Sequence, residues 1–117
     1  MAARANAALH LEESVKFFVG IGRYRLDLKD CMSLKDKRRL IKSMVDRLGR
    51  GNLACASEIG AGEYPKSGEL AYVCVSSSHE MVERSLSKSV EMLEVTGIDV
   101  IEIEHWILSP EDIMEPR

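Results

Sequence analysis

The sequence predicts an α+β fold in which strands and helices follow one another in the order β-α-β-β-α-β. In two segments, apolar residues recur at three- and four-residue steps, which is typical of amphipathic helices. In most of the other segments, apolar and polar residues alternate, which is typical of strands. Two helices with one apolar stripe each can cover only one face of a four-stranded sheet. Right-handed crossovers then give a ferredoxin-like sandwich, an antiparallel sheet of strand order 4-1-3-2 with both helices on one face.

The chain of 117 residues fits one domain by length. We expect the ferredoxin-like domain at residues 17–108, between a flexible, alanine-rich N-terminal tail at 1–16 and a C-terminal tail at 109–117. No apolar run approaches the ~20 residues that a spanning helix needs, and no long apolar stretch marks a secretory signal. The three cysteines are widely separated, which favours reduced thiols and a cytoplasmic protein.

The first strand is predicted at residues 17–28, FFVGIGRYRLDL. The face that we expect to contact the core carries Phe18, Gly20, Gly22, Tyr24, Leu26 and Leu28. The other face carries three charged residues among its apolar ones. Glycine weakens a strand unless another element approaches closely, so Gly20 and Gly22 predict a helix or backbone packed tightly against this strand.

A basic helix is predicted at residues 33–51, SLKDKRRLIKSMVDRLGRG. Ser33 and Asp36 have the spacing of a capping box, and Gly49 or Gly51 is expected to end the helix in the left-handed conformation. Residues at three- and four-residue steps form one apolar stripe: Leu34, Ile41, Met44, Val45 and Leu48.

The second half of the chain continues with a strand, a turn-rich loop, a strand, a helix and a strand. Their predicted bounds are 52–59, 60–68, 69–76, 78–96 and 98–108. Ser77 and Glu80 have capping-box spacing at the start of the second helix, and Gly97 is expected to end it.

The predicted strand order places the first strand beside the fourth. Arg23 and Arg25 are then expected to face Glu102 and Glu104 across the ladder as cross-strand ion pairs. The same topology leaves an apolar patch on the sheet face that no helix covers: Val19, Ile21, Val73, Val75, Val100 and Trp106. An exposed apolar patch of this kind is typical of a dimer or partner interface.

Charge is divided unevenly along the chain, although the net charge is only -3. Residues 16–50 carry eleven Lys or Arg against four Asp or Glu, whereas residues 51–117 carry four against thirteen. The acidic balance argues against avid, non-specific binding to nucleic acid, while the basic helix still permits contacts with phosphates. The same division would suit self-association or pairing inside the fold.

Five cations of the first helix are candidates for contacts with RNA phosphates: Lys35, Arg38, Arg39, Lys42 and Arg47. Such contacts position a partner without reading its sequence. The alternative is a solvated helix face whose long stems shield the core. Because Lys37, Arg38 and Arg39 are consecutive, they spread over more than half of the helix circumference, so at least one is expected to lie close to the sheet and to be structural.

The sequence contains no catalytic constellation, so we expect no enzymatic activity, no cofactor and no metal site. The three histidines are far apart, and no Cys/His spacing typical of zinc is present. Cys31 lies between Lys29 and Lys35 ahead of a helix, which favours a lowered thiol pKa, but no local base accompanies it. The segment 27–32 lacks the arginine and glycine of an acylphosphatase-like anion loop.

Two segments resemble in part the short motifs of RNA-recognition domains, FFVGIG at 17–22 and LAYVCV at 70–75. Those domains stack bases on exposed aromatic residues of the central strands. Phe18 and Tyr72 are instead expected in the core, so the sheet is not predicted to be a stacking platform.

The order and spacing of five motifs resemble the YlxP-like family of small bacterial proteins, whose activity is unassigned. The motifs are VGIGR at 19–23, SLKDKRR at 33–39, SEIG at 57–60, ELAYV at 69–73 and VER at 82–84. The resemblance covers residues 18–108 and implies a ferredoxin-like fold. Because the genes of this family often lie among those for translation initiation and ribosome maturation, it also implies an RNA- or ribosome-associated role. Members of the family tend to carry a tryptophan in the loop before the third strand. This chain has Tyr64 and Pro65 there instead, so the role of that tryptophan falls to Tyr64 or is lost.

Two functional hypotheses follow. The first is a non-enzymatic, RNA- or ribosome-associated accessory factor that binds phosphates through the basic helix and the adjoining loop at 60–68. The alternative is a homo-oligomerising module that binds a protein or a small ligand through the uncovered sheet face. The two are compatible, because they use different surfaces.

Overall fold

A computed structural model describes residues 15–50, 54–60 and 62–114. The strands are β1 (Phe18–Asp27), β2 (Ala54–Ile59), β3 (Ser67–Ser76) and β4 (Asp99–Leu108). The helices are α1 (Leu34–Leu48), α2 (His79–Val95) and the short α3 (Pro110–Met114). The strands form one antiparallel sheet in the order β2-β3-β1-β4. The predicted α+β sandwich is confirmed, since this is the order 4-1-3-2 counted from the other edge.

The core lies between one face of the sheet and the two long helices, with α1 over β2 and β3 and α2 over β1, β3 and β4. Its buried apolar members are Tyr24, Leu26, Leu28, Cys31, Ile41, Met44, Leu48, Leu70, Tyr72, Cys74, Val82, Leu86 and Leu93. Phe18 packs against them. The predicted core face of β1 is confirmed. Phe18 and Tyr72 belong to the core side of the sheet, so neither ring lies on the open face, where a base would stack.

Two glycines of β1 allow close packing, but only Gly20 meets a helix as the sequence predicted, since the space at Gly22 is taken by a side chain of the same strand. A Cβ on Gly20 would lie 2.5 Å from Val82 Cγ1 and 2.8 Å from Cys74 Sγ, so α2 packs directly over this position. A Cβ on Gly22 would lie 2.6 Å from Tyr24 Cζ, because the tyrosine ring folds back over the glycine.

Serine side chains cap both long helices at their N-termini. Ser33 Oγ accepts a hydrogen bond from Asp36 N at 3.1 Å, which confirms the predicted N-cap. The Asp36 carboxylate accepts from Met32 N at 3.1 Å, one residue before the Ser33 N–H that a capping box uses, so the reciprocal half of the predicted box was wrong by one residue. The predicted cap of α2 was wrong by one residue. Ser78, not Ser77, accepts from Met81 N at 3.2 Å.

The C-termini of the two long helices differ. Gly97 follows α2 with a φ of 84°, as predicted for a glycine stop. Gly49 caps α1 with a φ of -87°, so the first of the two glycines predicted as alternatives is not left-handed. Gly51 lies outside the described residues.

The segment after β4 is helical. Ser109 N and Ser109 Oγ donate to Asp112 Oδ2 at 2.8 and 3.0 Å, which caps the first turn of α3. This helix lies in the segment predicted as a C-terminal tail. The predicted tail at 1–16 falls outside the described residues except for its last two positions.

The pairing of β1 with β4 contains a bulge that alternation did not predict. Arg25 pairs with Glu102 and Leu26 with Val100, so Ile101 is an extra residue in β4. Val100 consequently lies on the helix side of the sheet and packs against the core. Its predicted place in the open-face patch was wrong, because a shift of one residue moves a side chain to the opposite face.

Candidate functional site

Helix α1 directs its apolar stripe at the sheet and all of its cations except Lys37 outward. Ile41, Met44 and Leu48 are buried, which fixes the rotation of the helix about its axis. The five candidates for phosphate binding are all exposed: Lys35, Arg38, Arg39, Lys42 and Arg47.

The five candidates do not form a single cluster. Lys35, Arg38 and Lys42 follow one another at steps of three and four residues, which places them on one flank of α1 with Arg39 adjoining. We call these four residues the basic flank. Nine residues separate Arg38 from Arg47, so at about 100° per residue they lie on opposite sides of the helix. Arg47 instead borders a groove between α1 and α2.

The basic flank has no acidic partners in the described part of the chain. None of the ion pairs formed there involves Lys35, Arg38, Arg39 or Lys42. Five other cations do have carboxylate partners: Arg23, Arg25, Lys29, Lys37 and Arg84. No ion pair of the described chain therefore neutralises the basic flank, and Asp46, four residues after Lys42 on the same side of α1, does not pair with it.

Lys37 differs from the cations that flank it. It is buried, and its Nζ donates to the Tyr64 carbonyl oxygen at 2.9 Å and lies 3.8 Å from Glu58 Oε2. These contacts offset the cost of removing an ammonium group from water. The prediction that one of the three consecutive cations lies against the sheet is confirmed. This lysine ties α1 to the loop between β2 and β3.

The open face of the sheet has a charged half. Arg23 lies 3.1 Å from carboxylate oxygens of both Glu104 and Glu69, and Arg25 lies 2.6 Å from Glu102. The predicted cross-strand pairs are confirmed. Glu69 is a partner that sequence reasoning missed, although its place opposite Arg25 in the β1–β3 register follows from the predicted topology.

The other half of the open face is apolar. Val19 and Ile21 are half-buried there, on the central strand β1. The more exposed members are Val73 at 38%, Val75 at 44% and Trp106 at 44%. Without Val100, five of the six predicted patch residues lie on this face, beside one another in the register of β3, β1 and β4.

A hydrogen-bonded cluster connects β1, α2 and β4; Tyr24 and Ser89 are buried, and His105 lies at its exposed end. The Tyr24 hydroxyl contacts Ser89 Oγ, and lies 3.0 Å from His105 Nε2. Ser89 donates to the Leu86 carbonyl at 2.6 Å, so Tyr24 donates to Ser89 and His105 donates to Tyr24. Burial raises the pKa of Tyr24 to about 12 and lowers the pKa of His105. With both rings neutral above pH 7, the cluster has a structural role.

Cys31 does not have the surroundings of a nucleophile. It is buried, and burial, reinforced by the nearby Asp36 carboxylate, raises the pKa of its thiol. The predicted lowering by lysines was wrong. Among the described residues, no group of three or more His, Cys, Asp or Glu side chains is placed to hold a metal ion.

None of the helices in the described part of the chain combines the length and the apolar composition that crossing a membrane requires.

The sequence matches a family described as "Protein of unknown function (DUF503)" over residues 19–105. No curated protein matches it. Among solved structures it is similar to the de novo designed protein Foldit4, with 18% identity, a TM-score of 0.41, and coverage of 81% of this chain and 96% of that one. It is also similar to the VAO-type flavoprotein MtVAO615 of Myceliophthora thermophila, with 11% identity, a TM-score of 0.47, and coverage of 80% of this chain and 16% of that one. A third similar structure is a mutant of SnoaB, a cofactor-independent oxygenase of Streptomyces nogalater. It shows 9% identity, a TM-score of 0.42, and coverage of 79% of this chain and 90% of that one.

Proposed function

The chain belongs to the DUF503 family, whose function is unknown, and on that premise we propose a non-enzymatic role in which the basic flank of α1 binds phosphates of RNA or of a ribosomal particle. The proposal includes a place among the YlxP-like proteins and a cytoplasmic location.

The observation that supports the proposal is that, among residues 15–50, 54–60 and 62–114, no carboxylate forms an ion pair with the basic flank. Cations that neutralise phosphates release counterions, and this release supplies most of the affinity for a nucleic-acid backbone. Four contacts to single-stranded RNA give a slope of about -3 in log K against log salt, so binding should weaken about 50-fold between roughly 50 and 200 mM salt. Because the whole chain carries a net charge of -3, binding depends on the orientation of this flank.

We further propose that the loop between β2 and β3, which Lys37 ties to α1, contributes an aromatic side chain to this interface. Tyr64 is 62% exposed, and its carbonyl oxygen is held by Lys37 of α1. Exposed aromatic rings next to a basic surface stack on unpaired bases, without sequence preference. The combination favours a single-stranded segment of RNA over a continuous duplex.

Co-sedimentation with ribosomal subunits over a salt series tests this function. The variant Lys35→Glu, Arg38→Glu is expected to lose the retention that the unmodified protein shows at low salt. The variant Arg84→Glu, Lys88→Glu is the matched control, since it changes the charge equally on the other long helix, and it should be retained. Equal retention of both variants, or equal loss, would contradict the proposal.

Self-association through the open sheet face is a second candidate, favoured by its apolar half. The proposed occupant is a second copy of this face, which carries both arginines and glutamates beside the apolar residues and is therefore complementary to itself. In light scattering after gel filtration, we expect a dimer that Val73→Asp dissociates. Val95→Asp, at an 82% exposed position on α2, is the control and should leave the dimer intact. An unmodified protein that stays monomeric at high concentration would exclude this function.

A further inference from the structure

A groove with a volume of about 340 Å³ opens between the end of α1 and α2. Its floor is formed by Ala54, Tyr72 and Cys74 of β2 and β3, and Leu48 and Val82 line its walls. Sites for small molecules typically have volumes of about 300–1,000 Å³ and mostly apolar linings. The groove thus has the size and the lining of a small-molecule site.

Small side chains leave this volume unfilled. Met81, Ser85, Lys88 and Met92 recur along α2 at steps of four, three and four residues and face the groove. Ser85, in the middle of this row, is short, and its Oγ lies 2.8 Å from the Tyr72 hydroxyl. The two hydroxyls share one hydrogen bond, which joins the α2 wall of the groove to its floor. An apolar chain placed in this groove would gain free energy by burying its surface.

The charge around the groove is of one sign. Arg47 and Arg50 border it from α1 and the residues just after it, and Arg84 and Lys88 border it from α2. Of the described residues that line the groove, none is acidic. Arg84 lies 3.0 Å from Glu80, outside the lining, while the other three cations take part in none of the ion pairs of the described chain.

We propose that the groove binds a small amphipathic anion, a single aliphatic chain of roughly ten carbons with a carboxylate head group. The length follows from the volume, because a water-sized group occupies about 30 Å³. The arginines select the head group, since a guanidinium donates two parallel hydrogen bonds to a carboxylate. The inference is independent of RNA binding, as the basic flank lies on the other side of α1.

Isothermal titration with three probes separates the contributions of chain and charge. Sodium decanoate has both features, sodium acetate lacks the chain, and decyltrimethylammonium bromide carries the opposite charge. Below micelle-forming concentrations, decanoate should bind at least tenfold more tightly than either of the others. No binding of decanoate, or equal binding of the decyl cation or of acetate, would overturn the proposal.

Two variants then place the binding in the groove. Arg84→Glu, Lys88→Glu should weaken decanoate binding at least tenfold, whereas Lys35→Glu, Arg38→Glu on the basic flank should leave it unchanged. Ser85→Leu fills the floor, keeps every charge, and should also weaken binding at least tenfold. Circular dichroism melts establish that each variant is folded. Unchanged binding in both groove variants, or an equal loss in the basic-flank variant, would overturn the assignment.

Discussion

Gly22 shows how the absence of one side chain sets the geometry of its surroundings. Only a residue without a Cβ lets the Tyr24 ring fold back along β1, where its hydroxyl meets Ser89 of α2 and His105 of β4. This single position therefore links the central strand to a helix and to an edge strand. Its effect is local in sequence but extends across three elements of the fold.

Replacing Gly22 with alanine is expected to destabilise the protein by about 1–3 kcal/mol, because the added methyl group would displace the Tyr24 ring. Urea unfolding followed by circular dichroism measures the change. Gly62→Ala is the control, since the nearest atom to a Cβ there, Glu58 Oε2, is 3.9 Å away. The control should change stability by less than about 0.5 kcal/mol. Equal effects of the two substitutions would show that the tyrosine ring does not depend on the glycine.

The same cluster predicts a dependence of stability on pH. Burial lowers the pKa of His105 below its ordinary value of 6.5, so the unfolded chain takes up this proton at a higher pH than the folded chain. The stability that the neutral His105 contributes is fully present above the pKa of this histidine in the unfolded chain. It is lost as the pH falls from there through the pKa of His105 in the folded protein. Urea unfolding at pH 7 and at lower pH should show a larger loss for the unmodified protein than for His105→Gln. Equal losses would contradict this coupling.

Alternation along β1 was sufficient to predict that Gly22 and Tyr24 face the core. It did not predict the partners of Tyr24, because Ser89 and His105 are 65 and 81 residues away along the chain. Their meeting depends on the exact position of α2 over the sheet and on the register of β4. Neither is encoded in the pattern of any one segment.

Among the secondary-structure elements, β4 departs most from its predicted arrangement. The bulge at Ile101 turns Val100 toward the core, while Glu102 and Glu104 keep the predicted pairs with Arg25 and Arg23. Alternation read from Ile103 backwards assigns Val100 to the open face. The sequence cannot reveal the insertion, since a bulge is a property of the pairing of two strands and not of one strand.

The bulge predicts different costs for two neighbouring truncations. Val100→Ala removes methyl groups that pack against the core and should lower the free energy of unfolding by about 1–2 kcal/mol. Ile101→Ala removes more atoms, but this side chain is half exposed, so we expect a loss below about 0.5 kcal/mol. Thermal and urea unfolding of the pair measure both values. A larger loss for Ile101→Ala than for Val100→Ala would indicate that β4 alternates regularly, without the bulge.

Across the whole molecule, the basic and acidic segments of the chain meet on the open sheet face. Arg23 and Arg25 come from the basic segment and pair with glutamates of the acidic one. The charge division alone left pairing, self-association and phosphate binding open, and pairing accounts for the sheet cations but not for the basic flank. The groove was beyond prediction, because its lining comes from α1, β2, β3 and α2 and no pattern in one segment reveals it.

The three free cysteines provide a test of the packing of the whole domain. Cys55 is exposed, whereas Cys31 and Cys74 are buried. With a thiol-reactive dye under native conditions, we expect one thiol to react rapidly and two to react only as fast as the protein opens. Cys55→Ser should remove the rapid phase. Two or three rapid thiols would contradict the described core.

The contact between Lys37 and Tyr64 has a consequence for how this protein tolerates change. The lysine holds the main-chain oxygen at position 64 and makes no use of the phenol ring. The contact that anchors the loop therefore does not depend on which side chain position 64 carries. Substitutions at the tip can alter what the loop offers to a partner, tryptophan for tyrosine included, while the distance between the tip and α1 stays the same. The molecule thus separates a constant main-chain anchor from an exposed side chain that is free to vary.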